Sequence, residues 1–101
     1  MRVVVINTAP GAYSARDIEN SLGAIAAIVG DDVVPSTLAQ LLNEGLELMT
    51  GRKGLLSGSE PNANLYPFFY VGTVVVVGDK PEGITDGQLA FLYKWLAGLT
   101  E

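Results

Sequence analysis

The chain has 101 residues with a formal net charge of −5, and it contains neither cysteine nor histidine. Those absences exclude disulfides, thiolate nucleophiles, thiolate metal sites and imidazole-based triads, zinc sites and phosphotransfer. Only Arg52-Lys53 pair among the six cations, so the acidic balance argues against a nucleic-acid polymer as partner.

A length of this order predicts one domain spanning residues 1–101, with a single modest core. The longest apolar runs, at residues 24–29 and 74–77, fall far short of the roughly 18 residues a membrane span needs. Asn7 ends the first apolar run before a secretory segment develops, and the expected location is the cytosol. Asp31-Asp32, after a glycine, reads as a solvated turn rather than a magnesium site, and no cofactor is expected.

In chain order, Arg2 to Ile6 is β-branched on consecutive positions, which predicts a strand covered on both faces. Thr8-Ala9-Pro10-Gly11 breaks it. Ser14 and Asp17 have capping-box spacing, so a helix is predicted from near Ala15, with Ile18, Leu22, Ile25 and Val29 on its apolar face and Gly30 as its stop. Val33-Val34-Pro35 reads as an edge strand or a loop entry, because Pro35 lacks an N–H. Residues 36–50 fit two descriptions. One is a helix capped by Ser36 and stopped by Gly45. The other is a hairpin through Asn43-Glu44-Gly45 that joins residues 38–42 to residues 46–50.

Gly51-Arg52-Lys53-Gly54 puts two cations on a turn, either a phosphate clamp or a solvated corner, and it lacks Walker spacing. Residues 57–64, SGSEPNAN, form a polar loop in which Asn62 and Asn64 carry the donors and acceptors to read a base or a ribose. Tyr66, Phe68, Phe69 and Tyr70 follow. One reading gives the whole run to the core; in the other, strand alternation with Phe69 inward would turn Phe68 and Tyr70 toward a pocket or a partner. Residues 74–77 are four valines and predict a second strand buried on both faces. Thr85 and Gln88 cap a last helix whose stripe is Leu89, Leu92, Trp95, Leu96 and Leu99.

The segments MRVVVI, ARDIENSLGAIAAIVG, LLNEGLEL, Pro61-Asn62-x-Asn64-Leu65 and YVGTVVVVG together resemble domain of unknown function 3846, a family of small proteins found mainly in phages and mobile elements. The chain departs from that pattern at Asp31, where the family has a second glycine, at the single Glu44 and at Ala63 in place of arginine. The family has no assigned catalytic residues. The resemblance implies a phage-type gene acting in a host cytosol, and it leans toward the hairpin for residues 36–50.

The expected fold is α+β, a mixed sheet of about four strands with the two apolar strands central and two helices on one face. The other face is then left for a second copy in a homo-oligomer. The expected function is non-enzymatic: sequestration of a small phosphorylated nucleotide signal to counter host antiviral defence. Arg52 and Lys53 would hold phosphate, Asn62 and Asn64 the base or ribose, and Tyr66 or Tyr70 would stack. A second reading is a protein-interaction module that inhibits a host enzyme through exposed aromatics. A third, phosphodiester cleavage, would need Lys53, Ser57, Ser59 and Glu60 to converge.

Overall fold

The computed structural model describes residues 1–53 and 60–99. Its elements are β1 (Arg2–Ile6), β2 (Tyr13–Asp17), α1 (Leu22–Val29), β3 (Val33–Ser36), α2 (Ala39–Leu42), β4 (Leu46–Gly51), a 3-10 turn (Ala63–Leu65), β5 (Val74–Gly78) and α3 (Asp86–Leu99). The five strands form one sheet in the order β2-β1-β5-β4-β3, with every neighbouring pair antiparallel. The α+β class and the interior position of β1 and β5 match expectation. The expected mixed sheet of about four strands is corrected to an antiparallel sheet of five.

The extra strand is the segment assigned to the start of a helix. Tyr13–Asp17 folds back on β1, with Val3 opposite Arg16 and Val5 opposite Ser14. The connection is closed by the Asn7 N–H donating to Ala12 O at 2.9 Å, with Gly11 at φ 75°. The Ser14–Asp17 spacing is a local signal, and it loses to β1, which needs a neighbour on each side. The true N-cap is Ser21, whose Oγ accepts from the Ala24 N–H at 3.1 Å, and α1 ends as expected at Gly30, φ 82°.

Residues 36–50 satisfy neither single description. Ser36 closes β3, α2 makes one helical turn, and Gly45 at φ 74° turns the chain into β4, which pairs with β3. The pairing continues as Arg52 N–H to Asp32 O at 2.7 Å, so alternate residues of β3 face β4 and Pro35 directs its imide nitrogen outward. At the opposite edge the Tyr93 hydroxyl accepts from the outward Ala15 N–H at 3.1 Å. Both edges are thus blunted against further strand pairing.

Alternation along the strands sends two apolar sets to opposite faces. Val4, Ile6, Leu46, Leu48, Val74 and Val76 pack with Leu41 of α2, Leu65, and Leu92 and Leu96 of α3. Val3, Val5, Met49 and Val75 pack with Ile25 of α1. The expectation that both helices lie on one face and a second copy covers the other is corrected: α1 occupies that second face itself.

Two polar joints close the fold. Arg2 Nε donates to Ile84 O and its Nη2 to Asp86 Oδ1, both at 2.8 Å, while Ile84 N–H reaches Arg2 O at 2.8 Å. Gly83 therefore lies flat on the Arg2 backbone. At α3 the expected capping box is present, with Thr85 N–H to Gln88 Oε1 at 2.9 Å and Gln88 N–H to Thr85 Oγ1 at 3.2 Å. Gln88 Nε2 goes on to Glu44 O at 2.8 Å and Asp79 Oδ1 at 3.2 Å. That donated bond, with smaller help from Lys80, holds the Asp79 carboxyl below its ordinary value.

Gly83→Ala should destabilise the fold by about 3 kcal/mol or more in chemical denaturation. Its φ is 93°, and a Cβ there would stand 2.3 Å from both Arg2 N and Arg2 O. Gly30→Ala, where φ is 82° but the space is open, should cost only about 1 kcal/mol. Because the folded-state pKa of Asp79 is lowered, its contribution is present above the ordinary carboxylate range and is lost as pH falls through it. Asp79→Asn should therefore reduce the acid-side loss of stability seen by thermal melts at decreasing pH.

Candidate functional site

The connection from β4 to β5 carries every residue singled out for binding, and its described part, residues 60–73, is tied down by two buried side-chain amides. Asn62 and Asn64 are 3% and 1% exposed. Asn62 Nδ2 donates to Ile6 O at 3.1 Å and Gly72 O at 2.9 Å, and its Oδ1 accepts from the Asn64 N–H at 3.1 Å. Asn64 Nδ2 donates to Asn7 O at 2.8 Å and Ala9 O at 2.7 Å, and its Oδ1 accepts from the Gly11 N–H at 2.7 Å. Each amide uses both of its hydrogens and its oxygen.

These are corrections to the expected ligand set. The asparagines are the pins that hold the loop to the end of β1 and to the β1–β2 turn. Their amides are spent on backbone groups. The physical reason is that the carbonyls of residues 6, 7, 9 and 72 converge at this end of the sheet, where the two amides supply them with buried donors.

The cations lie elsewhere. Arg52 and Lys53 are exposed just beyond β4, and the Lys53 N–H donates to Asp31 Oδ2 at 2.6 Å. Arg52 lines an open depression against α1, together with Leu22, Gly23, Ala26, Asp32 and Val33. The predicted cluster of Arg52, Lys53, Asn62 and Asn64 is thus divided between surface and interior. Gly54, Ser57 and Ser59, named for the phosphate turn and for the phosphodiester reading, lie outside the described residues.

The pinned loop leaves Tyr66 exposed, whereas Phe68, Phe69 and Tyr70 reverse the alternation that would have turned Phe69 inward. Phe69 is 76% exposed and Tyr66 73%. Phe68 is half-buried, stacked on Trp95 of α3 at 5.9 Å between ring centroids, and the Trp95 Nε1–H donates to Gln40 Oε1 at 3.2 Å. Tyr70 is half-buried, with its hydroxyl 2.9 Å from Ser36 Oγ. Strand alternation fails here because residues 66–70 are not a strand: the Phe68 N–H reaches back to Leu65 O at 2.8 Å in a turn. The exposed aromatic that the sequence reading did not single out is Phe69. Its only signal in the sequence is an aromatic run just after an Asn-x-Asn pair, where a turn interrupts the alternation.

Among the described residues no group of three acidic side chains is placed to hold a metal ion. Among them, too, no helix is long and apolar enough to cross a membrane. No protein-family model matches the chain, and neither the curated proteins nor the solved structures contain a significant match to it.

Asn64→Asp keeps the acceptor for Gly11 but sets a carboxylate against two carbonyl oxygens, at Asn7 and Ala9. It should cost about 2 to 3 kcal/mol at neutral pH. The folded-state pKa of the new group is raised, so the loss should shrink as pH falls toward the ordinary aspartate range of about 4. Urea denaturation at two pH values measures both effects, and a loss independent of pH would contradict this account of the latch.

Proposed function

We infer that this chain is a non-catalytic protein-binding module whose contact surface is the aromatic loop at residues 66–70. The observation that carries the reading is the pair Tyr66 and Phe69, held outward on a loop whose base is fully hydrogen-bonded. Ordinary solvent-exposed loops carry small polar residues at such positions. A pinned loop loses little entropy when it docks, so two large apolar groups on it act as preorganised anchors. Aromatic side chains are enriched among the residues that dominate protein interfaces.

The nucleotide-sequestration reading is weaker on the same geometry, because Asn62 and Asn64 are consumed inside the fold and Arg52 lies beside α1. The net charge of −5 also opposes polyanions. The phage-type resemblance makes a host enzyme with an apolar cleft the partner class to try first. Tyr66 and Phe69 would fill that cleft, and the hydroxyl of Tyr66 would provide a polar contact at its rim.

The test places a photo-crosslinking amino acid at Phe69 in the full chain and compares captured partners by mass spectrometry. A Tyr66→Ser, Phe69→Ser double variant should lose the captured protein by at least tenfold in affinity, whereas Arg52→Ala with Lys53→Ala should retain it. Calorimetry against cyclic and ADP-ribose-type nucleotides should show no heat. Heat that survives the aromatic double variant and disappears with the arginine and lysine substitutions would overturn this reading in favour of sequestration.

A further inference from the structure

The outer surface of α1 is out of keeping with a helix left in water. All eight of its residues, LGAIAAIV, are apolar or glycine, yet only Ile25 is buried and Leu22 is 66% exposed. Helices that are apolar around their whole circumference are ordinarily enclosed. The inner side of α1 is satisfied by the Val3, Val5, Met49 and Val75 face of the sheet. Its outer side has no such cover among the described residues.

The chemistry of this surface says what covers it. Leu22, 66% exposed, forms one wall of an open depression whose lining also includes Gly23, Ala26 and Val33, so it stands as a knob at the edge of a hollow. The same depression is rimmed by one cation, Arg52, and one anion, Asp32, both exposed. Neither is among the ion pairs of the described residues, which are Arg2 with Asp86 and Lys80 with Asp79. One patch therefore holds a knob and a hollow, and a positive and a negative charge. Around a two-fold axis such a patch is its own complement: each copy's Leu22 seats in the other's hollow, and each Arg52 meets the other's Asp32. A foreign partner would have to match all four features independently.

We propose that the outer surface of α1, with Leu22, Gly23, Ala26, Asp32 and Arg52, is an isologous interface between two copies of this chain. This differs from the dimer expected from the sequence, which was to cover a bare sheet face. Here the sheet is already covered, and helix docks on helix with Gly23 and Ala26 allowing close approach. The aromatic loop takes no part in the contact, so this inference stands independently of the binding function proposed above.

Sedimentation equilibrium of the full chain, from nanomolar to hundreds of micromolar, tests it. The wild type should be dimeric in the upper part of that range. Gly23→Leu adds bulk to the lining of the hollow at a position where a Cβ has room, its nearest neighbour being Ser21 Oγ at 3.9 Å. It should weaken association at least tenfold while leaving the thermal melt of the monomer unchanged or raised. Arg52→Asp and Asp32→Arg should each be monomeric alone, and an equimolar mixture of the two should recover a heterodimer. A wild type that stays monomeric throughout would overturn the proposal. So would a dimer indifferent to Gly23→Leu, or charge variants that fail to rescue one another on mixing.

Discussion

Val3, Val4, Val5 and Ile6 are all buried in succession, as are Val74, Val75 and Val76. Successive residues of a strand point to opposite faces, so β1 and β5 admit water to neither side. Every other element answers that constraint. β2 and β4 flank the pair within the sheet, α3 and α2 lie over the face of Val4 and Ile6, and α1 lies over the face of Val3 and Val5. Burial of a valine or leucine side chain contributes roughly 1.5 to 3 kcal/mol, so the two small cores supply most of the favourable free energy.

Covering both faces of so short a sheet leaves chain ends and turns to be joined, and polar side chains make the joints. Arg2 ties the start of β1 to residues 84 and 86. Gln88 ties α3 to the α2–β4 turn, and Asn62 and Asn64 tie the β4–β5 connection to the far end of β1. Among the described residues no buried side-chain nitrogen or oxygen lacks a partner. Such joints matter less for net stability than for uniqueness, because breaking one strands a desolvated donor or acceptor. The asparagine joint has a further result: it ties residues 62–64 to the end of β1, and Tyr66 and Phe69 project just beyond that tie.

Much of this was legible in the residues. The runs in β1 and β5, the glycine stop of α1, the proline-marked edge at β3 and the Thr85–Gln88 capping box are local signals, and each is realised in the fold. The failures were also physical. Ser14 and Asp17 have the spacing of a cap but sit in a strand, because they pair across the β1–β2 turn with Val5 and Arg2. The Asn62 and Asn64 amides suit a ligand or a carbonyl equally well, and only the positions of Ile6, Asn7, Ala9 and Gly72 decide between them. Phe68 and Phe69 exchanged sides because a turn, and not a strand, carries them.

The amino-acid sequence by itself determined the class of the fold, the two doubly buried strands and the absence of imidazole and thiol chemistry, since these follow from composition and near-neighbour periodicity. Tertiary structure alone decided which helix lies on which face, which polar side chains are consumed as joints, and which aromatics reach the surface. Those outcomes depend on groups far apart in the chain competing for the same donors and the same apolar area, and no local pattern records who wins.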